Sequence, residues 1–192
     1  MIIGIPSEIK TGEKRIAMSP TNVQSLTDKS IKVLIQENSG SAAGYPDGEY
    51  IAAGAIIITD RTEIFASADI ILQVQSFGSN NENSELDLAL LRSGQLVIGM
   101  MDPLASPQAA QTVAATGASA IALELVPRIS RAQSMDVLSS MATLSGYKAV
   151  LIGASASPRI FPMLMTAAGT LQPARVLIMG VGVAGLQACA TA

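Results

Sequence analysis

Short apolar stretches recur along this chain, and polar or turn-forming residues separate them. The stretches are rich in Ile, Leu and Val and are shorter than typical helices, so the pattern predicts buried strands of a parallel sheet. The predicted strands are Ile2–Ile5, Lys32–Gln36, Ile56–Ile58, Ile70–Val74, Leu96–Gly99, Ala120–Leu123 and Val176–Met179.

Helical segments lie between the predicted strands. A serine followed by a proline is a signal for the start of a helix, and it predicts helices at Pro20–Leu26 and Pro107–Ala115. Ser19 and Ser106 are the expected N-caps of these helices. The alternation of strand and helix predicts an α/β domain with a doubly wound, mostly parallel sheet of Rossmann or flavodoxin-like type over residues 1–127.

The most polar segment of the chain is Gly78–Glu85, with the sequence G-S-N-N-E-N-S-E. Such a composition is typical of loops. We expect a surface loop or an insertion between a strand and a helix, rather than a linker between domains.

The strand pattern ends near Pro127, and we predict a domain boundary there. Small and apolar residues then recur at helical spacing over residues 136–154. A further helix is predicted at Phe161–Ala168, with Gly169 at its end. Residues 128–192 are therefore expected to hold a polar loop, a connecting helix and the first strand and helix of a second Rossmann-type domain that is truncated at the end of the chain.

The composition limits the classes of function. Hydrophobic residues make up 49% of the 192 residues and aromatic residues only 3%, so the core must be mainly aliphatic. A formal net charge of -3 and scattered basic residues disfavour a broad nucleic-acid surface. Charged residues, Pro or Gly interrupt each apolar run well short of the ~20 residues that a membrane span needs, so no direct span is predicted.

The chain contains no His. This absence removes the commonest general base and the commonest metal ligand, and it excludes a Ser-His-Asp triad. No metal site is predicted. Direct hydride transfer between two nicotinamide cofactors remains possible without His, because no proton has to be taken from a substrate.

Residues 126–142 bring together more side chains able to bind a ligand than any other segment of the chain: Arg128, Arg131, Gln133, Asp136 and Ser139. Two interpretations stay open. The segment is either a solvated loop before a helix that Asp136 caps, or a loop that faces a ligand with cationic, amide and carboxylate groups.

A glycine-rich motif follows the last predicted strand, with Gly180, Gly182 and Gly185 in the pattern G-x-G-x-x-G. In dinucleotide-binding folds these glycines allow a tight turn, close approach of a pyrophosphate and close packing of helix on strand. The alternative is a tight turn of any α/β domain. The acidic residue expected about 20 residues further on would lie beyond Ala192.

Two segments resemble those of a known family. P-R-I-S-R-A-Q-S-M-D-V-L-S-S-M-A at residues 127–142 is similar to the signature loop of the NAD(H)-binding domain of proton-translocating nicotinamide nucleotide transhydrogenase. T-A-A-G-T-L-Q-P-A-R-V-L-I-M-G-V-G-V-A-G-L-Q-A at residues 166–188 resembles its second signature. The opening at residues 4–20 is shared more widely with alanine dehydrogenases, and the resemblance runs from Met1 to Ala192.

The resemblance implies roles for individual residues. Arg128, Asp136 and Ser139 are expected to contact NAD(H), and Gln133 is expected to reach towards NADP(H) on a partner domain. It places Gln133 and Asp136 at the hydride-transfer site. The complete expected cofactor-binding set is Arg128, Arg131, Gln133, Asp136, Ser139, Gly180, Gly182, Val183, Ala184 and Gly185.

The chain departs from the alanine dehydrogenase pattern at the groups that handle protons. Where those enzymes have K-V-K-E-P after the fourth strand, this chain has Q-V-Q-S-F, with Gln73 and Gln75 at the lysine positions. Those enzymes also have a histidine slightly later in the sequence, and the corresponding region of this chain reads G-M-M-D-P. Arg15 remains, and we expect it to form a structural ion pair near the first strand rather than to bind a substrate.

The sequence therefore leads to one main hypothesis and two alternatives. The main hypothesis is the N-terminal part of the NAD(H)-binding component of a transhydrogenase, a peripheral soluble domain on the cytoplasmic face of the inner membrane. Its expected partners are NADP(H)-binding and membrane-spanning components, with a possible homodimer. The alternatives are a non-catalytic piece of a split subunit and, more weakly, an enzyme like alanine dehydrogenase.

Overall fold

The computed structural model describes residues 1–80 and 82–192, and they form two compact units. The first unit is Met1–Val126 and the second is Pro127–Ala192. The division lies one residue before the boundary that the sequence suggested.

The first unit is built on a six-stranded sheet in the order β3-β2-β1-β4-β5-β6, with all neighbouring strands parallel. The chain starts in the middle of the sheet, adds strands on one side, and then crosses to the other side. The doubly wound α/β fold is therefore confirmed. The strands are β1 Ile2–Ile5, β2 Lys32–Gln36, β3 Ile56–Ile58, β4 Ile70–Gln75, β5 Leu96–Met100 and β6 Ser119–Ala122.

Five helices connect these strands: α1 Pro20–Thr27, α2 Asp47–Ala52, α3 Arg61–Ser67, α4 Ser84–Leu88 and α5 Pro107–Ala115. Ser19 and Ser106 occupy the N-cap positions of α1 and α5, as predicted, but neither side chain makes a capping hydrogen bond. The Ser19 carbonyl accepts from the amides of Asn22 and Val23 instead. The two proline signals located both helix starts correctly.

Successive strand residues pack into two separate groups of buried side chains. Leu34, Ile71 and Val97 belong to one group, whereas Val33 and Ile35 belong to the other. Neighbouring strand residues point to opposite faces of a sheet, so both faces of this sheet are covered. This double burial explains why the strands read as continuous apolar stretches in the sequence.

The polar segment Gly78–Glu85 is only partly a surface loop. Gly78 and Asn80 are buried, and Ser84 already begins α4. A Cβ on Gly78 would lie 2.1 Å from the Met101 carbonyl oxygen, so close packing against the end of β5 accounts for this burial. Asn81 lies outside the described residues.

The second unit contains α6 Val137–Ala156, a hairpin of β7 Leu164–Thr166 and β8 Gly169–Leu171, and α7 Val183–Thr191. The helix predicted at Phe161–Ala168 is wrong, because this segment forms the first strand of the hairpin. Gly169 has φ +133° and follows the hairpin turn, where the glycine signal marks a strand start rather than a helix end.

The strand predicted at Val176–Met179 is also absent from the described structure, and residues 172–182 form neither helix nor strand. Leu177 and Met179 are 86% and 92% exposed. A parallel strand requires a neighbouring strand as its hydrogen-bond partner, and β7 and β8 pair only with each other. The apolar pattern alone therefore does not produce a strand here.

Candidate functional site

The polar loop of the second unit forms a short 3₁₀ helix at Ser130–Met135, and α6 begins directly after it. Asp136 joins the two elements and is the N-cap of α6. Its Oδ1 accepts from the backbone amide of Ser139 at 2.9 Å, and its Oδ2 accepts from the Ser139 hydroxyl at 2.6 Å. The capping role predicted for Asp136 is therefore confirmed, and the cap holds Ser139 beside it.

Arg128 completes this group of side chains. Its Nη2 donates to the Ser139 Oγ at 3.0 Å, and its Nε lies 3.5 Å from the Asp136 Oδ2. The Arg128 side chain is 62% exposed, so its guanidinium keeps donor capacity that faces solvent. Three of the residues predicted for the site thus contact one another.

Asp136 is an acceptor in this group and not a proton carrier near neutral pH. The hydrogen bonds from the hydroxyl and amide of Ser139, and then the charge of Arg128, lower the pKa of Asp136. A carboxylate in this setting stays ionised. It can orient a donor, but it cannot deliver a proton at neutral pH.

A cavity of about 360 Å³ opens next to this group. Its size lies within the range of about 300–1,000 Å³ that is usual for small-molecule sites. Gln133 lines the cavity, whereas Arg131 of the same 3₁₀ helix does not. Sequence reasoning missed Ile129 and Ser130, which also line it. The lining residues are Arg128, Ile129, Ser130, Gln133, Asp136 and Ser139.

The glycine-rich turn leads into α7. Gly180 has φ +110°, a conformation that favours glycine, and Gly182 is the N-cap of α7. A Cβ on Gly185 would lie 2.0 Å from the Gly180 carbonyl oxygen, so this position also requires glycine. The first two helical residues, Val183 and Ala184, present unpaired amides at the helix start.

A second polar cluster lies in the first unit, after β1 and at the end of β4. Arg15 donates to both carboxylate oxygens of Glu13, at 2.8 and 2.5 Å, and Gln75 Nε2 donates to Glu13 at 3.2 Å. Glu8 accepts from the amides of Val74 and Gln75. Arg15 therefore forms the structural ion pair that the sequence predicted, and its hydrogen bonds lower the pKa of Glu13 to about 2.

Comparison with protein families identifies the chain. Residues 4–145 match the family model "Alanine dehydrogenase/PNT, N-terminal domain", and residues 149–192 match "Alanine dehydrogenase/PNT, C-terminal domain". The chain belongs to the alanine dehydrogenase/PNT family. The resemblance found in the sequence is thereby confirmed.

Individual members of the family show how far the similarity extends. One relative is the first part of the NAD(P) transhydrogenase alpha subunit of Rhodospirillum rubrum. It is 43% identical over 192 residues, which are 100% of this chain and 50% of that protein. The crystal structure of transhydrogenase from Sinorhizobium meliloti has a TM-score of 0.91 and 42% identity over 100% of this chain and 55% of that chain. The chain spans about half the length of these relatives.

The alanine dehydrogenase branch of the family is more distant. Alanine dehydrogenase of Mycolicibacterium smegmatis is 30% identical over 100% of this chain and 50% of that protein. An L-alanine dehydrogenase structure has a TM-score of 0.83 with 27% identity over 99% of this chain and 51% of that chain.

One property of α6 was not expected from the sequence. Judged by length and composition alone, it is the one helix in residues 1–80 and 82–192 that is long and apolar enough to cross a membrane. Lys148 interrupts its apolar run, and few of its side chains are buried within the chain.

Proposed function

We propose that this chain is the N-terminal part of the NAD(H)-binding component of a proton-translocating transhydrogenase. The component would transfer hydride between NADH and NADP⁺, and partner domains would couple the transfer to proton translocation. One observation carries the proposal: Arg128, Asp136 and Ser139 are joined around a cavity in the same unit as the glycine-rich turn.

The glycine-rich turn fits the pyrophosphate of a dinucleotide. Gly180 and Gly185 permit the tight turn, and a Cβ on Gly182 would point into open space, so a ligand can approach the backbone there. The amides of Val183 and Ala184, together with the positive end of the α7 dipole, would hold the pyrophosphate. The donor set therefore agrees with NAD(H) as the bound nucleotide.

The loop would position the other end of the nucleotide. When bound, the nicotinamide ring supplies the hydride chemistry. The ionised Asp136 and the Ser139 hydroxyl hold the Arg128 guanidinium, and Arg128 would donate to the carboxamide oxygen of the nicotinamide. The residues around this cavity orient groups and transfer no proton, which agrees with a chain that contains no His.

Gln133 and Arg131 would extend the site. Gln133 is exposed and lines the cavity, so its amide is available to the NADP(H) of a partner component. Arg131 is exposed on the same 3₁₀ helix but lies outside the cavity lining, so we expect a weaker contact with the cofactor. The proposed partners are an NADP(H)-binding component and a membrane-spanning component, with this chain peripheral on the cytoplasmic face.

Titration of the full chain with NADH, followed by the nucleotide's fluorescence, tests the proposal. We expect saturable micromolar binding that weakens about tenfold or more in Arg128→Ala and Asp136→Asn, because each loses a charged contact. Arg159→Ala is the matched control, since it removes an exposed arginine of the same unit outside this cavity. The loss of NADH affinity in Arg131→Ala is expected to lie between that of Arg128→Ala and that of the control.

A non-catalytic piece of a split subunit is the second candidate. Its support is the irregular backbone of residues 172–182, where a dinucleotide-binding fold has a strand. Absence of saturable NADH binding to the wild-type chain would favour this candidate. An enzyme like alanine dehydrogenase is disfavoured, because Gln73 and Gln75 stand at the lysine positions of that pattern and the chain contains no His; turnover of pyruvate and ammonia with NADH would reverse that conclusion.

We also propose that the hairpin of β7 and β8 supports a homodimer. Its apolar side chains Leu164, Met165 and Leu171 are exposed. Exposed apolar groups on a short hairpin are typical of an interaction surface. Sedimentation of wild type and Met165→Asp tests this: a dimer that dissociates in the variant supports the proposal, and a monomeric wild type contradicts it.

A further inference from the structure

Gly146 lies near the middle of α6, at the point where this helix packs against α7. The residue is buried. A Cβ built on Gly146 would lie 2.1 Å from the carbonyl oxygen of Ala184, 2.9 Å from its carbonyl carbon and 3.0 Å from its Cα. All three are backbone atoms, so no side-chain rotation can relieve the overlap. Only glycine at this position permits the observed approach of the two helices.

The contact falls on the first turn of α7, directly after the glycine-rich turn. Ala184 is the second residue of α7. The next residue, Gly185, packs so closely on Gly180 that a Cβ would lie 2.0 Å from the Gly180 carbonyl oxygen. The turn and the start of α7 therefore form one tightly packed piece, and this piece rests on Gly146.

The N-terminal end of α6 lies at the Arg128 cavity. Asp136 caps the helix, and Ser139 in its first turn accepts from Arg128. Gly146 lies ten residues after Asp136, which corresponds to about 15 Å along a helix axis. One helix thus connects the cavity at its N-terminal end to the glycine-rich turn at its middle.

We propose that Gly146 is a positioning residue that sets the distance between the Arg128 cavity and the glycine-rich turn, so that one dinucleotide contacts both. This inference rests on the proposed function. A larger side chain at position 146 moves the start of α7 away from α6. The nucleotide then loses full contact with either the turn or the cavity, and misplacement by about 1 Å is enough to cost about 100-fold in a positioned reaction.

Gly153 provides a matched control. It lies in the same helix, two turns after Gly146, and a Cβ there would make only an ordinary contact of 3.7 Å with Phe161. Gly146→Ala and Gly153→Ala both remove a helix-interior glycine and gain a similar intrinsic helix propensity. Val150→Ala serves as a second control, because it truncates a buried side chain of α6 without adding an atom.

The experiment compares the binding of NADH with that of ADP-ribose, which carries the pyrophosphate but lacks nicotinamide. In Gly146→Ala we expect NADH affinity to fall about tenfold and ADP-ribose affinity by less than about threefold, because only NADH has to reach both places. Arg128→Ala should then cost little further NADH affinity in the Gly146→Ala background. Gly153→Ala and Val150→Ala should leave the ratio of the two affinities unchanged, even where Val150→Ala lowers Tm.

Other outcomes overturn the inference. Equal weakening of NADH and ADP-ribose in Gly146→Ala, or an undiminished effect of Arg128→Ala in that background, would reduce Gly146 to a packing residue. If wild type binds NADH and Arg128→Ala weakens it, such a result leaves the proposed function intact. If wild type does not bind NADH, the proposed function and this inference fail together.

Hydrogen exchange on the wild-type chain covers the case in which Gly146→Ala does not fold. NADH should slow exchange in the first turns of both α6 and α7, because one molecule contacts the two places. ADP-ribose should slow exchange in α7 alone. Protection of α7 alone by NADH would contradict the proposal.

Discussion

Both units contain apolar stretches that read as strands, but only in the first unit do these stretches form a buried sheet. Ile71 in β4 is fully buried, whereas Leu177 in the second unit is 86% exposed. Each strand of the first unit has a parallel neighbour, and the described structure provides none for residues 172–182. An apolar stretch shows which side chains can be buried, and a neighbouring strand decides whether a strand forms.

The two units also differ in charge. The first contains seven basic and fourteen acidic residues, and the second contains five basic residues and one acidic residue, Asp136. The ionic contacts of the first unit include the pair of the partly buried Arg61 with the buried Asp87. The single carboxylate of the second unit lies beside an exposed arginine in a cavity. An excess of positive charge favours an anionic ligand on the second unit, because the field attracts negative groups.

The largest effect is expected at the ion pair of Arg61 and Asp87 in the first unit. Arg61 donates to both oxygens of Asp87, at 2.7 and 2.8 Å, and Asp87 is buried. Arg61→Ala leaves this carboxylate buried without its charge partner and should lower the free energy of unfolding by about 3–5 kcal/mol. Arg128→Ala, in the exposed pair of the second unit, should cost less than about 1 kcal/mol. Urea unfolding measures both variants, and an equal loss of unfolding free energy in the two would contradict the difference between the two ion pairs.

An effect of similar or smaller size is expected for a core side chain. Ile71→Ala should lower the free energy of unfolding by about 2–5 kcal/mol, because it leaves a cavity within the closely packed sheet. Leu177→Ala is the matched change in the second unit and should stay within about 0.5 kcal/mol, since the Leu177 side chain is already in solvent. The midpoint of urea unfolding measures both. A loss above about 1 kcal/mol for Leu177→Ala would show that its segment packs more tightly than described.

The third prediction concerns Glu13 and pH. The hydrogen bonds from Arg15 lower the pKa of Glu13 to about 2 from its ordinary value of 4.5. The ionised carboxylate therefore stabilises the fold fully above pH 4.5, and this contribution is lost as the pH falls towards 2. Because the pair is partly solvated, Glu13→Gln should cost about 1 kcal/mol at pH 7. The difference from wild type in thermal unfolding should shrink between pH 4.5 and 2, and a constant difference would contradict the assigned cause.

The sequence predicted the first unit well, because its strands carry local signals and two of its helices, α1 and α5, start at Ser-Pro pairs. It failed in the second unit at Phe161–Ala168 and Val176–Met179, where pairing between segments decides the structure. For the site, the cluster of polar residues and the capping signal located Arg128, Asp136 and Ser139. The sequence could not show that Arg131 lies outside the cavity, or that Gly146 meets Ala184, because both depend on how the elements pack.

The smallest change in stability is expected at Asp136. Asn caps a helix about as well as Asp, so Asp136→Asn should hardly alter the free energy of unfolding, whereas Asp136→Ala removes the cap and should lower it measurably. Both variants lose the carboxylate that holds Arg128, so both should weaken NADH binding to a similar extent. Thermal unfolding and NADH titration of the two variants separate these roles. If NADH affinity followed stability instead, with Asp136→Asn close to wild type, Asp136 would act only as a helix cap. The second unit would then resemble the first, with its ionic contacts contributing to folding rather than to ligand binding.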